Sequence, residues 1–176
     1  MRRNPLERGC DMNDLSADFL RHLLHYDPLT GVWTWMNPLP RSKMRRGDIA
    51  GRLTDQGRRQ IRIASGFYYA SRLAWLYMTG EWPKDQIDHI NRIKDDDRWE
   101  NLREATQSQN SFNRDWTEKH GEWRGISACG NQFAVSIGGE YHGLYKTFEE
   151  AIAVRDQALK KKAGPFAVVT SERKAS

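Results

Sequence analysis

Residues 84–114 combine a short strand, a polar loop, a second strand and a helix, with polar side chains at fixed points. The first strand ends in an adjacent acid and imidazole, Asp88 and His89. Asn101 opens the second strand twelve residues after His89, and Asn110 follows nine residues later in a helical segment. Adjacent strand residues point to opposite sides, so Asp88 and His89 can share one site only where the strand ends or is distorted. The pattern therefore predicts a small ββα unit.

These residue types suit hydrolysis of a phosphodiester bond. An imidazole changes charge near neutral pH, so His89 can take a proton from water. The oxygens of Asp88 and Asn110 are hard ligands that suit Mg²⁺, and two protein ligands leave coordination positions for phosphate and water. Asn101 is the polar residue that ties down the loop. Two distant cysteines without a Cys-x-x-Cys pair exclude a structural zinc ribbon, so no zinc is expected.

Charge is distributed unevenly along the chain, whose net charge is +5. Residues 41–72 contain nine basic and two acidic side chains, a balance of +7, whereas residues 84–114 contain six and seven, a balance of −1. A basic flank beside a locally acidic site suits a protein that holds phosphates and a cation, although a solvated surface explains the same charges. The candidate DNA contacts in and near these segments are Arg45, Arg46, Arg58, Arg59, Arg92 and Arg103.

The remaining patterns predict further helices and short strands. Residues 13–26 show helical spacing of apolar side chains, with Asn13 or Ser16 as the cap, and residues 70–78 form a second helix that ends at Gly80. Residues 32–36, 48–53, 59–64 and 67–69 have strand character. Near the C-terminus, three strand candidates at residues 124–128, 132–137 and 141–145 precede a helix that opens at Thr147 with the spacing of a capping box.

The central motifs resemble those of the HNH homing endonucleases of phages and group I introns. The resemblance rests on Asp88-His89-Ile90-Asn91, Asn101-Leu102-Arg103 and Ser108-Gln109-Asn110, and it extends to Tyr26-Asp27-Pro28 with Thr30-Gly31 and to Arg72-Leu73-Ala74-Trp75. It implies a ββα-metal fold in which His89 is the general base, Asp88 and Asn110 hold one Mg²⁺ or Mn²⁺ ion, and Asn101 braces the loop. It also implies 5′ phosphate and 3′ hydroxyl products. Asp97 departs from the asparagine that relatives often carry, and with Asp95 and Asp96 it makes the loop acidic.

The C-terminal pattern resembles the ethylene-response-factor-like (Apetala-type) DNA-binding domain. Trp123-Arg124-Gly125-Ile126, Gly143-Leu144-Tyr145 and Gly164-Pro165-Phe166-Ala167 carry this resemblance. Domains of this family lay a three-stranded sheet into the major groove. By that resemblance the candidate contacts are Arg124, Gln132, Ser136 and Tyr141, although the same strands also suit a small packed module.

The sequence thus predicts an α+β protein with a ββα-metal nuclease module followed by a small three-stranded sheet and helix. The predicted segments are an N-terminal region (1–83), nuclease core (84–114), linker (115–122), DNA-binding domain (123–168) and tail (169–176). The expected partner is double-stranded DNA, with no membrane and no obligatory protein partner, in the cytoplasm of a bacterial host if the protein is phage-encoded. Strand nicking is expected of a monomer, whereas a dimer would cut both strands. The alternatives are a catalytically inactive DNA-binding or regulatory protein derived from such a nuclease and an RNA-directed nuclease.

Overall fold

The computed structural model describes residues 15–40, 42–113 and 125–169. The chain divides between Ala105 and Thr106 into two compact units. This division falls inside the predicted nuclease core, between its second strand and its helix. In the described residues, no helix is both long and apolar enough to cross a membrane.

The first unit contains short antiparallel sheets and two helices. Its helices are α1 (Ala17–Leu23) and α2 (Ala70–Thr79). Its strands are β1 (Leu24–Tyr26), β2 (Trp33–Trp35), β3 (Arg52–Leu53), β4 (Arg59–Ile63), β5 (Gly66–Tyr69), β6 (Gln86–His89) and β7 (Leu102–Ala105). Strand β1 pairs with β2, β4 lies between β3 and β5, and β6 pairs with β7, all antiparallel.

Helix α1 is shorter than the sequence pattern predicted. Ser16 caps it by accepting a hydrogen bond from the Phe19 amide at 3.2 Å, which confirms one of the two predicted caps. The helix ends at Leu23, and Leu24–Tyr26 continues as strand β1, so the prediction of helix over residues 13–26 was wrong at its C-terminal end. Strand β1 pairs with Trp33–Trp35 across the following turn, and Leu24, Tyr26, Trp33 and Trp35 are all buried, so this tertiary pairing overrides the helical periodicity.

One apolar core joins α1, the β1–β2 hairpin, the β3–β4–β5 sheet, α2 and the β6–β7 hairpin. The alternation in β4 buries Ile61 and Ile63, while Gln60 and Arg62 lie on the other face. Helix α2 buries Leu73 and Leu76 and ends at the left-handed Gly80, as predicted. Ile87 and Leu102 anchor the β6–β7 hairpin in this core, so the end of β6 is held by buried contacts.

The second unit contains two helices and a three-stranded sheet. These elements are α3 (Gln107–Phe112), β8 (Ile126–Cys129), β9 (Gln132–Ile137), β10 (Glu140–Tyr145) and α4 (Phe148–Ala163), with β9 central. The capping box between Thr147 and Glu150 is present, and α4 packs on Val135 and Ile137. The predicted order of three strands and a capped helix is confirmed, and the part of the chain that the structure describes is a mixed α+β fold.

Candidate active site in the β6–β7 hairpin

Asp88 and His89 are the last two residues of strand β6 and directly precede the loop of residues 90–101. In the hairpin register Asp88 lies opposite Arg103 and His89 opposite Leu102. Strand β6 ends at His89, which is the condition under which Asp88 and His89 can share one site. Both side chains are buried, with 5% exposure for Asp88 and 4% for His89. The two side chains have different partners: Asp88 contacts Arg103 across the hairpin, and His89 contacts Asp97 in the loop.

His89 and Asp97 form a buried pair. The Nε2 atom of His89 lies 2.9 Å from Oδ1 of Asp97, whose residue is only 2% exposed. A carboxylate only accepts hydrogen bonds, so the bond requires the proton on Nε2 of the imidazole. From the sequence, Asp97 stood out as a departure from the asparagine of relatives and as part of an acidic loop, with no link to His89. The structure instead joins it directly to the proposed general base.

The backbone at Asp97 is held by the N-terminal hairpin. The Tyr26 hydroxyl donates to the Asp97 carbonyl oxygen at 2.6 Å, and the Trp99 amide donates to the Pro28 carbonyl oxygen at 3.0 Å. Gly31 has φ +73°, and a Cβ at this position would lie 2.7 Å from the backbone of Asp97 and Arg98. Burial, followed by the nearby Asp97 charge, raises the pKa of the Tyr26 hydroxyl above its ordinary value.

Asn101 ties the two ends of the loop together. Its Oδ1 accepts from the Asn91 amide at 2.9 Å, and its Nδ2 donates to Asn91 Oδ1 at 3.0 Å and to the Asp96 carbonyl oxygen at 2.7 Å. Asp96 in turn accepts two hydrogen bonds of 2.8 Å from the Arg98 guanidinium. This guanidinium, with help from Asn91, lowers the pKa of Asp96 to about 2. The charge of Asp96 is therefore already paired inside the loop.

Asp88 forms an ion pair with Arg103. Both the Nε and Nη2 atoms of Arg103 lie 2.8 Å from the same oxygen of Asp88, Oδ2. The Arg103 side chain, which was predicted to contact DNA, is 17% exposed, and its guanidinium is paired with Asp88. In the described part of the chain no group of three or more His, Cys, Asp or Glu side chains is arranged to hold a metal ion.

Asn110, the second predicted metal ligand, lies on α3 and belongs to the second unit. A capping box between Thr106 and Gln109 starts this helix, and the backbone N–H of Asn110 donates to the Thr106 carbonyl oxygen at 2.9 Å. The local fold around Asn110 is thus set by the capping residues.

The basic candidates lie on the surface of the first unit. Arg45 and Arg46 are exposed in the loop before β3, whereas Arg58, Arg59 and Arg92 are partly buried. Arg58 lies over the ring of Tyr69 at 5.8 Å. These positions leave all five residues at least partly open to solvent.

The outer face of the β3–β4–β5 sheet adds residues that the charge count had not singled out. Arg62 stacks over Phe67 at 5.5 Å, and the two are cross-strand partners. Arg52 and Arg62 also line a groove of about 870 Å³, with Lys43 and Met44 on its wall. The alternation of Arg59–Ile63 was the signal that could have identified Arg62 as outward-facing.

The candidate contacts in the second unit share one sheet face. Ser136 and Tyr141 are cross-strand partners, Tyr141 is 62% exposed, and Gln132 lies on the same side of β9 as Ser136. Helix α4 packs against the opposite face through Val135. Arg124, the fourth candidate, lies outside the described residues.

The segment that contains the β6–β7 hairpin matches a known protein family. Residues 68–112 match the HNH endonuclease family. The matched segment contains Asp88, His89, Asn101 and Asn110, and it supports a DNA-cleaving hydrolase whose family generally uses a divalent metal. No curated protein and no solved structure gives a significant match to the chain. The match ends before β8, so the ethylene-response-factor-like resemblance stays a prediction.

Proposed function

We propose that this chain is a homing-type endonuclease that hydrolyses phosphodiester bonds of double-stranded DNA with one divalent metal ion and His89 as general base. The observation that carries the proposal is the buried, oriented imidazole of His89 at the end of β6, inside the segment that matches the HNH endonuclease family. Nicking of one strand is the proposed outcome for a monomer.

The chemistry follows from the imidazole. Nε2 of His89 donates to Asp97, so in the neutral ring the lone pair is on Nδ1. Nδ1 takes a proton from water as the water oxygen attacks phosphorus. The bond from phosphorus to the 3′ oxygen then breaks, that oxygen takes a proton from solvent water, and the His89 imidazolium returns its proton to solvent, which leaves a 5′ phosphate and a 3′ hydroxyl.

The donor chemistry of the proposed metal ligands fits a hard cation. Asp88 offers a carboxylate whose contacts with Arg103 both go to Oδ2, and Asn110 offers an amide oxygen. We propose that these two residues hold Mg²⁺ or Mn²⁺, which when bound supplies charge stabilisation for the phosphate and the leaving oxygen.

DNA binding is proposed to use both units. In the first unit, the exposed Arg45 and Arg46 and the arginine-lined sheet face would contact phosphates. In the second, the open sheet face with Gln132, Ser136 and Tyr141 would enter the major groove. This part of the proposal rests on the exposed positions of the side chains and on the sequence resemblance.

The test is cleavage of supercoiled plasmid with Mg²⁺ or Mn²⁺ by the full chain. Wild type is expected to relax or linearise the plasmid, and His89→Ala or EDTA to abolish the reaction. His22→Ala is the matched control, because this histidine is exposed on α1 and should cut like wild type. Equal activity of His89→Ala and wild type would contradict the assignment of the general base.

A second candidate is a catalytically inactive DNA-binding protein. The observation that favours it is the ion pair between Arg103 and Asp88, because a guanidinium on the carboxylate competes with a metal ion for the same charge. Titration with Mn²⁺, followed by calorimetry, separates the two candidates. Saturable binding that Asp88→Asn removes supports the nuclease, whereas DNA binding without metal binding or cleavage supports the inactive protein.

A further inference from the structure

We propose that Asp97 is a positioning residue for His89, which holds Nε2 as a hydrogen-bond donor and so makes Nδ1 the proton-accepting nitrogen, and that the hairpin of residues 24–35 fixes Asp97. This inference rests on the proposed nuclease function. It adds a residue outside the Asp88, His89, Asn101 and Asn110 set.

The geometry supports a direct orienting role. The 2.9 Å contact joins two side chains that are almost fully buried, so solvent does not compete for this hydrogen bond. A neutral imidazole carries one proton, and a carboxylate on Nε2 selects the tautomer with that proton on Nε2. The ring is thereby fixed both in rotation and in tautomer before any substrate is present.

The cost of burying Asp97 argues against a purely structural role. Oδ2 of Asp97 is buried and has no hydrogen-bond partner among the described residues, although its sister oxygen contacts His89. Burying an unsatisfied carboxylate oxygen is unfavourable, and an apolar side chain would fill the space at lower cost. A buried group of this kind calls for a functional account, and the contact with His89 supplies one.

The N-terminal hairpin holds Asp97 from the other side. The Tyr26 hydroxyl binds the Asp97 carbonyl oxygen, and Gly31 allows the turn to lie directly against the Asp97–Arg98 backbone. The Pro28 carbonyl oxygen accepts from the Trp99 amide two residues further along. The motif Tyr26-Asp27-Pro28 with Thr30-Gly31 thus fixes the backbone from which the Asp97 side chain reaches His89.

Two Asp97 variants separate orientation from charge. Asp97→Ala removes the acceptor, whereas Asp97→Asn keeps an oxygen that can accept from Nε2. Asp95→Asn is the matched control, because it makes the same change of charge at an exposed position in the same loop. Circular dichroism and the thermal midpoint of each variant report whether the fold is kept.

The kinetic readout is the single-turnover rate constant for plasmid cleavage, with DNA affinity measured separately in EDTA. Asp97→Ala is expected to lower the rate constant by about 10–100-fold, the range for loss of an outer-shell orienting partner, without changing DNA affinity. Asp97→Asn is expected to recover most of that loss, and Asp95→Asn to match wild type. A rate constant for Asp97→Ala within about 3-fold of wild type would overturn the proposal.

The spectroscopic readout does not require cleavage. The ¹⁵N NMR signals of the neutral His89 ring, assigned by their absence in His89→Gln, report which nitrogen carries the proton. Wild type is expected to show the Nε2–H tautomer and Asp97→Ala a loss of that preference. A wild-type ring with the proton on Nδ1 would overturn the proposal. If wild type cuts no DNA with either metal, the nuclease function fails, and the tautomer measurement alone still decides the role of Asp97.

Discussion

Replacing Tyr26 with phenylalanine tests the contact that links the N-terminal hairpin to the loop. The change deletes one hydroxyl from a residue that is 1% exposed and leaves the ring in place. The hydroxyl donates to the Asp97 carbonyl oxygen at 2.6 Å, and that buried oxygen would lose this donor. An unsatisfied buried acceptor costs about 1–3 kcal/mol, so we expect the free energy of unfolding to fall by about 2 kcal/mol.

The expected fall of about 2 kcal/mol in the free energy of unfolding also predicts how far the thermal midpoint of Tyr26→Phe decreases. For a unit of this size each kcal/mol corresponds to about 4–8 °C, so the midpoint should fall by roughly 10 °C. Urea unfolding at neutral pH gives the free energy directly. Tyr69→Phe is the control, because Tyr69 is an exposed residue of β5 and loss of its hydroxyl should change stability by less than about 0.5 kcal/mol.

Alkaline pH provides an independent test of the Tyr26 environment. Burial and the Asp97 charge raise the pKa of Tyr26 in the folded protein, whereas the unfolded chain keeps the ordinary value of about 10. Below about pH 10 the hydroxyl is protonated in both states. As pH rises above that value only the unfolded state loses its proton, so the free energy of unfolding falls by up to about 1.4 kcal/mol per pH unit.

Tyr26→Phe should remove this component, because phenylalanine has no proton to lose. The difference in unfolding free energy between wild type and Tyr26→Phe should therefore shrink as pH rises above about 10, while the other tyrosines contribute equally to both proteins. The reasoning is refuted if Tyr26→Phe is as stable as wild type at neutral pH. A difference that stays constant with alkaline pH would refute the raised pKa alone.

Three further substitutions test other parts of the fold and surface. Asn101→Asp replaces a double donor with an acceptor facing Asn91 Oδ1 and the Asp96 carbonyl oxygen, and urea unfolding should show a loss of about 2–3 kcal/mol. Ala64→Gly relieves a residue held at φ +52° and should raise stability by about 1 kcal/mol, measured in the same way. Arg62→Ala should weaken DNA binding in gel shifts and lower the salt dependence by about one unit of slope, whereas an unchanged slope would exclude a phosphate contact.

Much of the local structure was predictable because short-range chemistry determines it. The capping box at Thr147 and Glu150, the hairpin at Gly138-Gly139 and the end of α2 at Gly80 depend on neighbouring residues, and all three are present. The end of α1 was not predictable in this way. Leu24 suits a helix or a strand, and pairing with Trp35 across a turn decided between them.

The acidic loop shows why composition could not reveal the site. Asp95, Asp96 and Asp97 contribute equally to a charge count, yet their surroundings differ completely. Asp95 is exposed, Asp96 is paired with Arg98, and Asp97 is buried against His89. From the sequence, these three residues could be described only as a run that makes the loop acidic. The structure shows that two of the three side chains have partners within the protein.

The β6–β7 hairpin and its loop depend on residues well outside the segment that matches the HNH endonuclease family. That match begins at residue 68, but the loop backbone at Asp97 is held by Tyr26, Pro28 and Gly31. A fragment cut at the edges of the match would lose the hydrogen bonds from Tyr26 to the Asp97 carbonyl oxygen and from the Trp99 amide to Pro28, each of which contributes about 0.5–1.5 kcal/mol. Since a whole domain has only about 5–15 kcal/mol of stability, this loss is large. The physical unit that orients His89 therefore begins no later than β1.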